Sequence, residues 1–468
     1  MAAEPVPAAT RKRVLRVLVI SLLLDLISFT FILPLFPQLI VFYRDLEASS
    51  SNSHNTLLAK TLATLNAYKN SFAKPINSRY DIVLLGGALG SLFSLCQAIA
   101  SPIIGRLSDK YGRRRALLCS MVGNIASVGL WVAAVDFRTF IASRIVGGLS
   151  EGNVQLATAI ATDVSSEETR GATMALVGAC FSIAFTVGPA LGAWLASITS
   201  VKSNPFATAA GVSLALIVTE TLYLYLCLPE TLPASRTATE NGSANGHANG
   251  HANGHANGAP NGQKANTKAP LNKPNQRTNP RWLLNMTHFA FILCFSGMEF
   301  SLPFMTYDLF KYTSAQSGRL LGFMGLIASL LQGGVVRRMH PLRVVQMGVV
   351  SAAGAFFMLG SLQSTRALYG AATLLAITSG SVVTGLNSLS SFEAANNERG
   401  SILGNHRSWG QIGRALGPLI FCTLYWWAGR QAAYTLGGSG MLVVCGLAFG
   451  ALKKPAGTET VGKRVKAQ

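Results

Sequence analysis

A few ionisable residues lie inside long apolar stretches of this sequence, where an uncompensated charge is expensive. Asp25 follows three leucines in the first stretch, and Arg144 and Glu151 lie seven residues apart in the fourth. A carboxylate in such a place must be protonated or paired, and an arginine must face a wet cavity or a carboxylate. Such side chains can take up and release protons. We expect Asp25 to be the main proton carrier, with Glu151 and Glu299 secondary. Arg144 would tune a nearby carboxylate.

The spacing of Arg144 and Glu151 indicates how they are related. In an unbroken helix, seven residues make two turns and place both side chains on one face, about 10 Å apart. That distance is too long for a direct ion pair, but both residues would line one stripe of the helix. The alternative is that the two side chains extend to opposite membrane surfaces.

The second half of the chain offers fewer charges within apolar stretches. Glu299 and Arg414 are candidates for a cross-helix ion pair or for contact with a charged substrate. Asn387 and Gln97 are candidates for hydrogen bonds to a substrate in a central cavity, or for joining neighbouring helices. Glu220, in the sixth apolar stretch, is a weaker candidate for such a contact.

Several function classes are excluded by what the sequence lacks. It has no nucleophile–base grouping and no nucleotide-binding loop, so we do not expect an enzyme. The seven cysteines form no C-x-x-C pair and no metal-ligand spacing. His247, His251 and His255 recur in an Asn-, Ala- and Gly-rich repeat without a cysteine or carboxylate beside them. We interpret them as a solvated repeat, and we expect no metal and no cofactor.

The composition predicts a membrane protein. The 468 residues are 50% hydrophobic and only 12% charged, whereas soluble domains carry about 25% charged residues. So few charges cannot cover a surface that faces water, and the partner of much of this chain must be a lipid bilayer. The net charge of +20 is dispersed in short clusters between apolar runs. This pattern is not typical of nucleic-acid binding.

Twelve apolar stretches are long enough to cross a membrane, at about 20 residues each. They lie at roughly 14–41, 81–104, 116–135, 139–162, 171–198, 207–228, 283–306, 318–336, 344–363, 367–391, 401–427 and 432–452. With the N-terminus inside, 25 basic residues lie on the inner side and 10 on the outer side. Both termini are therefore predicted to be cytosolic. The membrane is either the plasma membrane or a vacuolar or endosomal one.

Arg16, near the inner end of the first span, belongs to the inner side. Four other basic residues lie within or at the ends of the predicted spans and belong to neither side: Arg144, Arg319, Arg407 and Arg414.

The spans divide into two sets of six. Residues 229–281 separate them and are rich in Gly, Asn and Ala, which predicts a disordered cytosolic linker. The bundles are therefore 1–228 and 282–468. Gly-Pro recurs in the fifth span of each set, at Gly188-Pro189 and Gly417-Pro418. The predicted fold class is an all-α membrane protein with twelve transmembrane helices in two pseudo-symmetric six-helix bundles. Nothing indicates oligomerisation, so we expect a monomer.

The connection between spans 2 and 3 reads GRLSDKYGRRR, from Gly105 to Arg115. Two glycines allow a tight reversal between helices, and the arginines fix the loop on the cytosolic face. Asp109 is a lone carboxylate that can cap a helix N-terminus. A loop that only set the topology would not need this spacing. We interpret it as part of a gate built from Gly105, Asp109, Gly112 and Arg113.

This loop resembles, position for position, the signature loop of the major facilitator superfamily. The resemblance implies that Asp109 and Arg113 form a charge lock with neighbouring helices. The corresponding connection between spans 8 and 9, around Arg337 and Arg338, has neither the Gly nor the Asp. A second lock is therefore not predicted.

Four further segments resemble the drug:proton antiporters of this superfamily, in particular their tetracycline-transporter-like branch. Arg144-Ile-Val-Gly-Gly is similar to the span-4 motif of that branch, whose arginine is implicated in proton transfer. The segment from Gly188 to Gly192 resembles the antiporter signature GPxxGG, with Ala193 in place of its last glycine. Asp25 with its downstream prolines, and the LPETLP of residues 228–233, resemble the first and sixth spans.

Proline inside a span removes a backbone hydrogen bond, and adjacent glycines let a partner helix approach. On this basis we predict bends at five positions: Gly188, Pro189, Gly192, Gly417 and Pro418.

These observations favour a secondary active transporter. The first hypothesis is proton-coupled export of small amphipathic drugs or organic anions by alternating access. The second is a facilitative or symporting carrier of a small organic solute, and the third is a membrane receptor or scaffold that does not transport. The intact loop from Gly105 to Arg115 argues against a scaffold, which would not need a gate.

Overall fold

The computed structural model describes residues 7–32, 35–48, 56–70, 79–198, 204–232, 278–395 and 398–455. Within these ranges the chain is helical and contains no strand. Most of the predicted linker and the ends of both tails lie outside the described residues, and the repeat with His247, His251 and His255 lies there too.

The helices of the first half are α1 (Ala8–Thr30), α2 (Phe36–Ala48), α3 (Leu57–Asn70), α4 (Arg79–Tyr111), α5 (Arg113–Val132), α6 (Phe137–Ser150), α7 (Asn153–Asp163), α8 (Glu167–Ser197) and α9 (Ala207–Cys227). Those of the second half are α10 (Arg281–Phe310), α11 (Ser314–Gly334), α12 (Pro341–Gly360), α13 (Thr365–Phe392) and α14 (Arg399–Gly446). A 3₁₀ turn at Val336–Arg338 precedes α12, and a π-turn at Leu447–Ala451 follows α14.

The helices account for twelve membrane crossings. By length and apolar composition, nine helices of the described chain qualify as membrane spans. Helix α14 holds two predicted spans, joined where Gly429 leaves the helical conformation (φ 85°, ψ 169°). Two other predicted spans each consist of two helices. The first predicted span comprises α1 and α2, and the fourth comprises α6 and α7. Counting these brings the total to the predicted twelve.

Each half has a hydrophobic core of its own. One set of buried residues runs from Val14 to Leu228 and the other from Leu283 to Leu452. A small third cluster, Ala175 with Val336 and Val344, joins α8 to the second half. The burial pattern matches the predicted architecture of two helical bundles.

The two halves meet mainly along two pairs of helices. Helix α4 packs on α14, where Ser91 Oγ donates to the Ala415 carbonyl at 2.7 Å and Ser408 Oγ donates to the Ala98 carbonyl at 2.6 Å. Helix α8 packs on α11, where Ser182 Oγ donates to Gln332 Oε1 at 2.9 Å. Small side chains dominate both contacts, so the backbones approach closely, as is usual between helices in membranes.

Candidate functional site

The fourth span is broken at the position of a predicted carboxylate. Helix α6 ends before Glu151 (φ −70°, ψ 85°), and α7 begins after Gly152. The neighbouring helix α5 satisfies the interrupted backbone, since Ser120 Oγ accepts the Gly152 N–H at 2.8 Å. Asn124 Nδ2 donates to Glu151 Oε2 at 3.3 Å. The break turns Glu151 away from the regular helical position assumed from the sequence.

Asp25 on α1 is buried beside this break. One carboxylate oxygen, Oδ1, accepts a hydrogen bond from Asn153 Nδ2 at 3.1 Å. The other oxygen, Oδ2, is buried without a hydrogen-bond partner among the described residues. Asn153 is the first residue of α7, so the interruption of the fourth span supplies the partner of Asp25.

Glu220 on α9 is the third carboxylate here and is only 1% exposed. Ser21 Oγ donates to its Oε1 at 2.6 Å, and its charge interacts with those of Asp25 and Glu151. We refer to Asp25, Glu151 and Glu220 as the acidic cluster. Three carboxylates held this close repel one another when ionised, so protonation of one favours ionisation of the others.

Asp25 and Glu151 line one cavity of about 40 Å³, together with Arg144, Phe93 and Trp131 among others. This volume holds about one or two water molecules. It is far below the several hundred Å³ of a site for a drug-sized ligand. The cavity therefore suits water and protons rather than an organic cargo.

Arg144 faces the cavity without pairing directly with a carboxylate. Its guanidinium lies over the rings of Phe93 and Phe140, at 5.8 and 5.6 Å from their centroids. Within the described chain no carboxylate lies within 4.0 Å of it, although its charge interacts with Glu151. Arg144 and Glu151 thus share one cavity.

The sequence analysis did not identify Arg407, on α14, as a functional residue. Its charge interacts with Glu151 and Asp25, across the boundary between the halves. The signal was present, because Arg407 is an arginine inside an apolar stretch, as Arg144 is.

The remaining predicted cavity residues lie elsewhere. Glu299 on α10 and Arg414 on α14 form an ion pair, with Arg414 Nη1 at 3.2 Å from Glu299 Oε2. Gln97 is buried on α4, and Asn387 is half-buried on α13. In the described part of the chain, no hydrogen bond joins Gln97 or Asn387 to the acidic cluster.

The arginine-rich loop at the α4–α5 junction joins the two halves. The carboxylate of Asp109 accepts the N–H groups of Gly400 at 2.9 Å and Ser401 at 2.7 Å, in the first turn of α14. A carboxylate at a helix N-terminus is stabilised by the unpaired N–H groups and the helix dipole. Because Asp109 and α14 belong to different halves, these bonds close the bundle at this end, which we call the arginine-rich end.

Arg113 organises the charges around this contact. It is fully buried, with Nη1 at 2.7 Å from Asp109 and Nε at 2.8 Å from Asp163 at the end of α7. Asp163 also pairs with Arg399 of the second half at 2.9 Å. The sequence identified Asp109 and Arg113. It did not identify Asp163 and Arg399, which complete the network from distant parts of the chain.

The loop needs glycine at positions 105 and 112 for different structural reasons. Gly112 has φ 103°, a conformation that favours glycine. Its neighbour in space is Glu230 of LPETLP, which accepts the N–H groups of Arg113 at 2.9 Å and Arg114 at 3.2 Å. Glu230 thereby caps α5. Gly105 lies against the backbone of Gly400, where a Cβ atom would overlap the Gly400 carbonyl.

A weaker counterpart of this network joins α8 of the first half to α12 and α13 of the second half. Arg170 at the start of α8 donates to the Ser391 carbonyl at 3.4 Å and lies 4.8 Å from the centroid of the Phe392 ring. Gly171 faces Pro341. This contact is made through a carbonyl and a ring, whereas the contact around Arg113 is made through two carboxylates.

The predicted bend positions serve close helix packing. A Cβ at Gly188 would overlap Thr30, one at Gly192 would overlap the Phe31 backbone, and one at Gly417 would overlap Ser296 and Leu293. Pro189 and Pro418 both lie inside helices that continue past them. The non-helical residue in α14 is Gly429, eleven residues after Pro418.

Replacing Gly105 with alanine should disrupt the contact between α4 and α14. Its Cβ would also lie 2.8 Å from the Gly400 carbonyl carbon, and backbone atoms cannot rotate away. We expect a loss of about 1–3 kcal/mol in folding stability, measured as a lower thermal unfolding midpoint in detergent. Gly90→Ala on the same helix is the control, because its Cβ meets nothing within 4 Å. Equal midpoints for the two variants would contradict this.

Comparison with known proteins places this architecture. The profile of the Major Facilitator Superfamily matches residues 18–418. Major facilitator superfamily domain-containing protein 10 of Mus musculus is 33% identical over 458 residues, covering 97% of this chain and 96% of the relative. Tetracycline resistance protein, class G, of Vibrio anguillarum is 34% identical over 124 residues, covering 26% of this chain and 31% of the relative.

Solved structures agree with this placement. The crystal structure of the human organic anion transporter MFSD10 is similar with a TM-score of 0.78 and 30% identity, covering 95% of this chain and 100% of that one. The transporter FucP in its outward conformation shares the fold, with a TM-score of 0.61 at 12% identity. This chain is therefore a multi-pass membrane transporter that belongs to the Major Facilitator Superfamily.

Proposed function

We propose that this protein is a proton-coupled secondary active transporter that exports small amphipathic compounds, organic anions among them, by alternating access. The observation that carries the proposal is the acidic cluster, which is buried in one half. Two of its members, Asp25 and Glu151, line a cavity with room for water but not for cargo. A buried carboxylate without compensating charge is costly within a membrane and marks a functional position.

In this mechanism protons and cargo occupy different places. Asp25 is the main proton carrier because one of its oxygens has no partner in the described chain and, unlike Glu220, it lines the cavity. Glu151 shares its cavity and exchanges protons with it, while Arg144 holds the cavity polar. Glu299 is a secondary candidate, paired with Arg414. Cargo would bind between the bundles 1–228 and 282–468, where Gln97, Asn387 and Arg414 are candidate contacts.

The network around Arg113 serves as the gate at the arginine-rich end. Basic loops favour the cytosolic side, so we place this end and both termini in the cytosol. The closed arrangement is then one of two states whose populations protonation shifts. Gly105, Asp109 and Gly112 hold the closed state through their contacts with Gly400, Ser401 and Glu230.

The names of the relatives support this choice. Tetracycline resistance proteins match about a quarter of this chain, and the structure that covers 95% of it is described as an organic anion transporter. Both descriptions fit transport of small organic molecules. Neither identifies the cargo of this chain.

The test is proton movement in proteoliposomes that contain the purified full-length protein. With a pH gradient imposed, a panel of tetracycline-like compounds and aromatic anions is added while the internal pH is recorded. Proton flux that depends on added compound, and is absent from protein-free liposomes, is the expected result. Movement of compound without proton flux would contradict proton coupling.

A second candidate is a symporting carrier of organic anions. It is favoured by Arg407, a cation of the second half whose charge interacts with the acidic cluster. The direction of proton flux distinguishes the two. In exchange, protons move against the direction of the compound, and in symport they move with it.

A further inference from the structure

Arg407 lies where the two halves meet beside the acidic cluster. The next residue, Ser408, donates to the Ala98 carbonyl of α4 at 2.6 Å. One turn before it, Gly404 faces the Ser101 backbone. Arg407 is only partly exposed, and its Nε is buried without a hydrogen-bond partner among the described residues. The guanidinium therefore retains unused hydrogen-bonding capacity at the seam between the halves.

The other arginine of α14 within the membrane differs in this respect. Arg414, two turns further along the helix, is paired with Glu299 at 3.2 Å. In the described chain no carboxylate lies within 4.0 Å of Arg407. Its attraction to Glu151 and Asp25 acts across a longer distance. Of the two, Arg407 has the guanidinium that is free to receive an anion.

The two histidines beside Arg407 add no compensating negative charge. The rings of His288 on α10 and His406 on α14 stack with centroids 4.3 Å apart. The Nδ1 atom of His288 lies 3.0 Å from the His406 carbonyl, and that of His406 lies 3.0 Å from Asn285 Oδ1. These bonds fix the backbone of α14 next to Arg407, and they supply no negative charge.

We propose that Arg407 is the residue that binds the anionic group of an organic anion, and that it does so in competition with the acidic cluster across the seam. The proposal rests on the second candidate function above, a symporting carrier of organic anions, and it identifies a residue that binds the cargo. A planar guanidinium with free N–H groups matches a carboxylate or sulfonate well, because it can donate two parallel hydrogen bonds.

This competition determines whether protonation of the acidic cluster strengthens or weakens anion binding at Arg407. Ionised Asp25 and Glu151 attract Arg407 and repel an incoming anion, with Glu220 adding to the repulsion. Protonation removes this competitor, so anion affinity rises as pH falls. By linkage, a bound anion strengthens proton binding by the same factor. For an anionic cargo, proton and cargo therefore bind together, whereas a cation would be favoured by the ionised cluster.

The test is equilibrium binding to the purified full-length protein, measured by scintillation proximity. The probes are radiolabelled toluenesulfonate, an aromatic anion, and tetraphenylphosphonium, an aromatic cation, whose charges do not change with pH. We expect toluenesulfonate affinity to rise towards acidic pH. Arg407→Gln should lower it by about 10- to 100-fold, as for a lost hydrogen bond to a charged group. The variant should also flatten the pH dependence without weakening tetraphenylphosphonium binding.

Three variants complete the design. Arg407→Lys should restore part of the affinity, and it replaces the glutamine variant if that one unfolds. Arg319→Gln removes one charge from the exposed start of α11 and should bind as the unaltered protein does. Arg414→Gln is the rival. A larger loss in Arg414→Gln than in Arg407→Gln, or unchanged toluenesulfonate binding in Arg407→Gln, would overturn the proposal.

Binding and proton flux fail separately. Normal, Arg407-dependent anion binding without proton flux in proteoliposomes would sink proton-coupled transport and keep the anion site. If Arg407→Gln keeps both its proton flux and its anion affinity, proton-coupled transport stands and the anion site at Arg407 is wrong. Absence of toluenesulfonate binding to the unaltered protein would also overturn the anion site.

Discussion

Asp25→Asn is expected to abolish transport driven by a pH gradient. The amide preserves the size of the side chain and its contact with Asn153, but it cannot take up or release a proton. Losing this coupling removes typically about 1–3 kcal/mol, or about 5- to 150-fold in the response to pH. The measurement is compound-dependent change of internal pH in proteoliposomes, with thermal unfolding as the check on folding.

The matched control is Asp45→Asn. Asp45 carries the same charge on α2, but its side chain is 67% exposed and its ion pair with Arg44 is at the surface. An exposed pair of this kind contributes little, so this variant should transport normally. Full coupling in Asp25→Asn would show that Asp25 is a structural residue, and it would move the proton site to Glu151 or Glu220.

Arg113→Ala is expected to open the arginine-rich end. It removes the cation between Asp109 and Asp163, which leaves two buried carboxylates with less compensation. Breaking a buried ion pair by removing one partner costs about 3–5 kcal/mol. The closed arrangement should lose much of this energy, because Asp109 and Asp163 hold Gly400, Ser401 and Arg399 of the other half.

Cysteine labelling can report this opening. In a background with the seven native cysteines replaced by serine, a cysteine at position 401 should react faster with a soluble maleimide when Arg113 is alanine. Arg115→Ala is the control, since Arg115 is exposed on the same loop. Equal labelling rates in both variants would mean that the network does not hold the gate. A fall in unfolding temperature without faster labelling would assign Arg113 to folding alone.

Hydropathy predicted the fold well because each crossing needs about 20 apolar residues, and the bilayer imposes that length on every helix. The interruption of the fourth span was harder to predict from the sequence. Leu149, Ser150 and Glu151 do not break a helix by themselves, and only Gly152 hinted at the break. What permits it is α5, whose Ser120 and Asn124 bind the freed groups. A sequence pattern within one span does not show what its neighbour offers.

The site was predicted in part. Asp25, Glu151 and Arg144 stand out because a charge in an apolar stretch is unusual, and the structure places all three around one cavity. Their roles remain proposals. Arg407 has the same sequence signal, yet its relation to Asp25 depends on how two halves of the chain meet. Glu230 was noted only as part of LPETLP, and its capping of α5 spans more than a hundred residues of sequence.

The seam between α4 and α14 is made in places of bare backbone, with Gly105 against Gly400 and Gly404 against Ser101. In the alternating-access mechanism proposed above this seam opens and closes, and these glycine contacts have no side-chain rotamers that must rearrange. Little side-chain entropy is lost on closing, and each cycle returns the same fit. At these glycine contacts no side chain has to repack when the seam closes again. The speed of opening is then left to the few polar bonds that fasten the seam. In the same proposed mechanism, changing Asp109 or Arg113 would adjust turnover without disturbing the packing of α4 on α14.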